Sequence, residues 1–232
     1  MKTKNLKIVG IEEYPGTIIY GKKHALTMGI KSATHSNLVF TDADCIPNDA
    51  MFLQRFDFQF AKGKNLILGL GGFQKKSTWV NLFYRIENAR IALNYITMAW
   101  LKMPFMAVGR SLGYSKELFF ETNGFKGHRT VASGDDDLFV QQVSKKANIG
   151  LIPKAATISQ TPETFTHWLK QKKRHNSTSK HYSIQSILLI FFIELIPILS
   201  LASIPVLLFF NPGVSVWGAV LLLILMRLCF YQ

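Results

Sequence analysis

The order of apolar and polar positions along the first 180 residues predicts helices packed on a sheet. Short apolar-rich runs at 6–11, 37–41 and 66–70 predict strands. Helical spacing of the apolar residues at 22–36 and 50–61 predicts helices between those strands. This alternation of strand, helix and strand favours an α/β domain with a mostly parallel sheet.

Two longer segments are also rich in apolar residues. The segment at 77–100 is amphipathic and predicts a helix that packs on the domain core or lies at a membrane surface. The segment at 187–210 contains one charge, Glu194, and is long enough to cross a bilayer core. The turn signal Asn-Pro-Gly at 211–213 and a further apolar run at 214–230 follow it. The pattern therefore predicts a transmembrane helical hairpin, with a buried pair of core helices as the alternative.

These patterns divide the chain into a globular domain at 1–182 and membrane helices at 183–232. The formal net charge is +13, nearly all of it before the apolar tail. Such a charge suits membrane lipid or a phosphate-bearing substrate, and we expect no nucleic-acid partner because no motif for one is present. The cluster of basic residues at 170–180 contains no acid. The positive-inside rule then predicts an integral protein of the inner or plasma membrane with its domain in the cytoplasm.

Two carboxylates one residue apart, Asp42 and Asp44, stand where the predicted buried strand at 37–41 ends. Ligands bind at the carboxyl ends of parallel strands, and Mg²⁺ or Mn²⁺ prefers carboxylate oxygens together with substrate phosphates. The pair therefore predicts a site for Mg²⁺ or Mn²⁺ that holds a diphosphate. One alternative is a solvated turn whose aspartate caps the next helix. Another is the acidic pair of haloacid-dehalogenase phosphatases, which Ile46 and Pro47 disfavour.

A second acidic cluster, Asp135 to Asp137, precedes a predicted helix. Adjacent carboxylates repel one another, which raises the pKa of some of them and can leave a competent base. The alternative is that the three aspartates cap the helix. The basic segment at 168–175 also has two interpretations. A patch that contacts anionic lipid explains its charges but leaves Trp168 and Gln171 unexplained.

Five motifs occur in one order and together resemble family 2 glycosyltransferases, in particular the membrane-bound branch with cellulose, hyaluronan and poly-N-acetylglucosamine synthases. They are Gly-Lys-Lys-His-Ala-Leu at 21–26, Thr-Asp-Ala-Asp-Cys at 41–45, Asn-Gly-Phe at 123–125, Gly-Asp-Asp-Asp-Leu at 134–138 and Gln-Lys-Lys-Arg-His at 171–175. The resemblance covers about residues 6–232 and implies a GT-A-like (Rossmann-like) fold. The family domain begins with a strand, a helix and a second strand. Because nothing before Leu6 supplies these, we expect a chain truncated at both ends.

The resemblance implies a role for each matching residue on the donor and catalytic side. Lys22 matches a Gly-Lys element near the donor site, and Asp42 and Asp44 match the metal-binding Asp-x-Asp. Asp135 takes the place of the general base that deprotonates the acceptor hydroxyl, and Asp136 is the alternate for that role.

The remaining matches concern binding of donor and acceptor. Gln171, Arg174 and His175 match Gln-x-x-Arg-Trp, which contacts the donor diphosphate and the acceptor, and Asp137 is placed with them. Because His175 stands where the family has tryptophan, the expectation of acceptor stacking and of processive polymerisation is weakened.

The sequence thus predicts an inverting, metal-dependent glycosyltransferase with its catalytic domain at 1–182. It would move a sugar from a nucleotide-sugar donor to a hydroxyl of a glycan or lipid-linked acceptor at the membrane. A retaining enzyme with a covalent carboxylate intermediate is a lesser alternative. An inactive, membrane-tethered fragment that serves as a subunit or scaffold is the alternative of another class.

Overall fold

The computed structural model describes residues 6–11, 21–161 and 164–210 and shows an α/β protein. Residues 6–11 form neither a strand nor a helix, so the strand predicted there is wrong. The strands are β1 (Asn37–Phe40), β2 (Ile46–Pro47), β3 (Leu66–Phe73), β4 (Leu112–Ser115) and β5 (Ile149–Ser159). The α-helices are α1 (Gly21–Ser32), α2 (Phe52–Ala61), α3 (Trp79–Trp100), α4 (Lys116–Glu121), α5 (Asp137–Val143), α6 (Phe165–Ser179) and α7 (Ile184–Phe210).

The strands form a single five-stranded sheet in the order β1-β4-β3-β5-β2. Strands β3 and β5 pair in parallel. Strand β4 is antiparallel to its neighbours β1 and β3, and β2 is antiparallel to β5. The sheet is therefore mixed and mostly antiparallel. This contradicts the predicted fold class, a GT-A-like (Rossmann-like) and mostly parallel sheet.

The error arises at β4, whose four residues Leu-Gly-Tyr-Ser are too few to show a period in the sequence. A Cβ added at Gly113 would lie 2.7 Å from a ring carbon of Phe56, so glycine lets α2 pack directly on this strand. Strands β1 and β3 run in the same direction because each is antiparallel to β4. The carboxyl ends of β1, β3 and β5 consequently meet at one edge of the sheet, although β4 separates β1 from β3.

Different helices cover the two faces of the sheet, and the side chains of β3 alternate between them. Leu66 and Leu68 belong to a buried cluster that includes Phe139 of α5. Ile67 points the other way and packs in a cluster with Phe56 of α2. Apolar side chains thus hold the sheet on both sides and fix the edge where β1, β3 and β5 end.

Helix α3 packs on the sheet partly through polar contacts with β3. The Tyr95 hydroxyl donates to the Gly69 carbonyl (2.7 Å), and the Asn88 amide donates to the Gly71 carbonyl (2.6 Å). These carbonyls lie at or just beyond the shift in register between Leu68 and Leu70, where the β3–β5 ladder is interrupted. The helix therefore supplies hydrogen bonds where the sheet is irregular.

No helix among the described residues is long and apolar enough to cross a membrane. The predicted transmembrane hairpin is therefore wrong for its first helix, and residues 211–232, where its second helix is predicted, lie outside the described residues. Helix α7 makes polar contacts with the domain. Glu194 forms an ion pair with Arg90 of α3, and directly before the helix the Ser183 N–H donates to Gln141 (3.1 Å). The one charge of the apolar run thus has a partner that the apolar pattern cannot show.

Candidate functional site

The turn after β1 carries the first acidic motif. The Cys45 N–H donates to the Asp42 carbonyl (3.1 Å). This turn brings a carboxylate oxygen of Asp42, one of Asp44 and the Cys45 sulfur within 4.8 Å of one another. Asp42 is half-buried and Asp44 is exposed. Two carboxylates that leave room for further oxygen ligands fit Mg²⁺ or Mn²⁺, so the residues present fit the predicted cation.

The Cys45 thiol is the third member of this group. Burial raises the pKa of Cys45, and the neighbouring Asp44 carboxylate raises it further. Because only the thiolate is an effective metal ligand, this environment favours the two carboxylates as ligands.

Lys22, in the first turn of α1, joins the two acidic motifs. Its ammonium lies 3.3 Å from Asp42 Oδ1 and 2.9 Å from Asp135 Oδ2. Burial lowers the pKa of Lys22, but the attraction and hydrogen bond of Asp135 and the charge of Asp42 outweigh that effect, so the pKa rises to about 12. Lys22 therefore stays charged across the physiological range.

Lys23, the next residue, points into the protein and is 2% exposed. Its ammonium donates to the carbonyls of His128 (2.8 Å), Val131 (3.0 Å) and Ser133 (2.9 Å). Burial lowers the pKa of Lys23, against the opposing attraction of Asp135. One helical turn thus fastens the loop that leads into the second acidic motif, a role that the sequence analysis did not assign.

The three aspartates of the second motif face different partners. Asp135 contacts Lys22, and its side chain is 11% exposed. Asp136 accepts hydrogen bonds from the Gly109 N–H (3.0 Å) and the Asp137 N–H (2.9 Å). Asp137 accepts a hydrogen bond from the Tyr182 hydroxyl (2.6 Å). Asp135 alone of the three therefore forms an ion pair that links it to the first acidic motif.

The pKa values of the other two aspartates follow from their surroundings. Burial raises the pKa of Asp136, and the charge of Asp135 raises it further. Burial also raises the pKa of Asp137 well above the ordinary range, with the charge of Asp136 adding to the effect. Asp136 caps helix α5 at the Asp137 N–H, which agrees with the capping interpretation for Asp136. The Asp137 side chain instead accepts from Tyr182, which lies between α6 and α7.

Two cavities meet at this site. The first, of about 760 Å³, contains Asp42, Asp44 and the start of α6. The second, of about 600 Å³, contains the Asp135–Asp137 cluster and parts of α3, α6 and α7. The residues that line both are Lys22, Asp42, Phe73, Arg110, Gln171 and Arg174. The boundary thus holds three cationic side chains and one carboxylate.

Helix α6 carries the last predicted residues. Gln171 and Arg174 line both cavities, whereas His175 lines the second. Glu87 of α3 fixes the helix, because it accepts a hydrogen bond from the Trp168 indole (2.6 Å) and pairs with the Lys172 ammonium (2.6 Å). This contact accounts for Trp168, which a lipid-binding patch leaves unexplained.

The structure therefore brings together all nine residues predicted for the site, around two joined cavities. The sequence analysis missed Lys23, Arg110, Tyr182 and Glu87, which contact the predicted residues or stand beside them. One signal for Arg110 is present in the sequence. Adjacent glycines, Gly71 and Gly72, inside a strand indicate that another group approaches the backbone closely.

Comparison of the chain with protein-family models and with curated proteins gives no match.

Proposed function

We propose that the protein is an inverting, metal-dependent glycosyltransferase that moves a sugar from a nucleotide-sugar donor to a hydroxyl of a glycan or lipid-linked acceptor. One observation carries the proposal. The Lys22 ammonium bridges Asp42 (3.3 Å) and Asp135 (2.9 Å), two acidic groups that are far apart in the sequence. Asp42 lines both cavities and Asp135 lines the second, so Lys22 connects two adjacent cavities. Transfer between two substrates requires such adjacent binding sites.

The first cavity suits the donor. Its lining includes two carboxylates at a strand end together with His167, Lys170 and Arg174. Acidic ligands for a cation beside several basic side chains complement a diphosphate, whose oxygens bind both. Asp42 and Asp44 would hold Mg²⁺ or Mn²⁺, which when bound supplies further positive charge for the diphosphate.

The second cavity suits the acceptor. It combines polar side chains with apolar ones, including Trp168, Ile190 and Ile193. Sugars present hydroxyl groups around apolar ring faces, and such mixed linings bind them through hydrogen bonds and stacking. Asp135 lines this cavity and pairs with Lys22, which lines both cavities.

In the proposed reaction an acceptor hydroxyl oxygen forms a bond to the anomeric carbon of the donor sugar. The hydroxyl proton passes to Asp135, and the bond from the anomeric carbon to the diphosphate oxygen breaks. Lys22 and Arg174, which line both cavities, place positive charge beside the departing diphosphate. A single displacement of this kind inverts the configuration at the anomeric carbon.

The test uses the whole chain, Mn²⁺ and a panel of nucleotide sugars, with water or glycans as acceptors. Release of nucleoside diphosphate is measured. We expect Asp42→Ala and Asp44→Ala to lower release by roughly 10²-fold or more, because the diphosphate loses the charge that the cation supplies.

The matched control is Asp57→Ala, which removes the same side chain from an exposed position on α2. Its release rate should equal that of the wild type. Wild-type rates in both Asp42→Ala and Asp44→Ala, or no binding of any nucleotide sugar by the wild type, would contradict the proposed function.

A further inference from the structure

Arg110 lies at the boundary between the two cavities, directly before β4. Its Nε and Nη2 atoms are buried, and among the described residues they have no hydrogen-bond partner. Arg110 also forms no ion pair with any carboxylate of the described chain. A guanidinium keeps its charge at any accessible pH. Burying its N–H groups without acceptors is unfavourable.

The surrounding structure is built to hold this guanidinium in place. A Cβ at Gly71 would lie 2.4 Å from Arg110 Nε, so only glycine at that position of β3 leaves room for the side chain. The Phe73 ring packs on the guanidinium from 5.1 Å. The backbone beside Arg110 is fixed by the hydrogen bond from the Gly109 N–H to Asp136 (3.0 Å). The position is therefore specified by three residues, two on β3 and one at the start of α5.

The chemistry of the site indicates what such a group binds. Arginine presents a planar set of donors that matches the oxygens of a phosphate in two parallel hydrogen bonds. Lys22 and Arg174 line the same boundary, so three cationic side chains stand where donor and acceptor would meet. A ligand with more than one negative charge complements this arrangement better than a neutral sugar does.

We propose that Arg110 binds the diphosphate of the nucleotide-sugar donor and remains bound to it in the nucleoside diphosphate product. This inference rests on the proposed function and adds a binding residue to it. Asp136 and Gly71 then act as positioning residues for Arg110, because one fixes its backbone and the other leaves space for its side chain.

The probe is inorganic pyrophosphate with Mn²⁺, titrated calorimetrically into the whole chain. We expect Arg110→Gln to weaken pyrophosphate binding about 10- to 100-fold, the usual effect of losing charge-assisted hydrogen bonds to an anion. Arg110→Lys should weaken it less, since charge remains and the planar donor set is lost. Arg129→Gln, at an exposed position that lines neither cavity, is the matched control and should bind like the wild type.

A second variant displaces the Arg110 guanidinium while the arginine itself stays in the chain. Gly71→Ala places a methyl group where Arg110 Nε lies and should displace the guanidinium, so pyrophosphate binding should again weaken about tenfold or more. If Arg110→Gln fails to fold, Arg110→Lys decides the question.

The outcomes separate this inference from the function on which it rests. Normal binding by the wild type, by Arg110→Gln and by Gly71→Ala would overturn the role of Arg110 and leave the donor site standing. Absence of pyrophosphate binding by the wild type would overturn both. Equal weakening in Arg129→Gln would show a general charge effect and would also overturn the role of Arg110.

Discussion

Lys22 contacts two acidic segments, Asp42–Asp44 and Asp135–Asp137, which differ in how far their carboxylates are enclosed by the protein. Asp42 and Asp44 lie on an open turn, where Asp42 is half-buried and Asp44 is exposed. The second segment lies against the core, and Asp136 and Asp137 each accept hydrogen bonds from fixed donors. Open carboxylates remain available to a ligand, whereas enclosed ones are committed to the fold. Asp135 combines the two situations, because it belongs to the enclosed segment yet pairs with Lys22, whose ammonium also contacts Asp42.

The largest expected effect tests whether Asp135 is distinct from its neighbours. Asparagine caps a helix about as well as aspartate but cannot accept the proton. Asp135→Asn should therefore lower the transfer rate about 10²- to 10⁴-fold, the usual contribution of a general base, while donor binding persists. The measurement is product formation at saturating donor, with Asp136→Asn and Asp137→Asn as matched neighbours. Equal, mild losses in all three would favour the capping interpretation, and a collapse only at Asp136 would move the base by one residue.

A smaller effect should separate Lys23 from Lys22. Lys23→Met leaves three carbonyls without their donor, and unsatisfied buried acceptors are unfavourable. We expect the free energy of unfolding to fall by about 3–4 kcal/mol, measured by urea denaturation. Lys22→Met is the control, since its side chain is 52% exposed and exposed ion pairs contribute about 0–1 kcal/mol. Similar losses of unfolding free energy in both variants would contradict the claim that Lys23 stabilises the fold more than Lys22 does.

The third effect concerns the pH dependence of the enclosed segment. Burial and the charge of Lys23 lower the pKa of His128 to about 4. Between that value and the ordinary 6.5, the unfolded chain binds a proton that the native state does not, so unfolding free energy rises with pH. His128→Gln should remove roughly 2–3 kcal/mol of the rise between pH 4 and 7. Urea denaturation at several pH values checks this, and parallel curves for wild type and variant would contradict it.

The sequence predicts where the strand before Asp42 ends better than it predicts how the strands are ordered in the sheet. Asp42 follows strand β1, as the run at 37–41 indicates, because strand ends are local features, although β1 is only half-buried. Strand β4 is not local. It inserts between β1 and β3 through pairs such as Leu38 with Tyr114, and its four residues show no period. The end of β1 was thus predictable, whereas the order and direction of the strands in the sheet were not.

The same distinction holds within the site. Lys22, Gln171 and Arg174 are recognisable because each stands in a motif with characteristic spacing. The residues that hold these side chains in position lie far away in the sequence. Glu87, for example, fixes helix α6, which carries Gln171 and Arg174, through its contacts with Trp168 and Lys172. Three adjacent aspartates look alike in sequence, and only their contacts distinguish them. One pairs with Lys22, one accepts backbone N–H groups and one accepts the Tyr182 hydroxyl.

The hydrogen bonds of Lys23 also bear on when the site can exist. They join residues 105 to 110 positions apart, so their formation requires closing a long loop of chain. Contacts of such high contact order form late in folding, after the local helices and turns. A nascent chain that ends before β5 can have the turn after β1, but the sheet that anchors it is incomplete. The loop that Lys23 fastens leads into Asp135, so the ion pair of Asp135 with Lys22 is also a long-range contact that follows the local structure in folding.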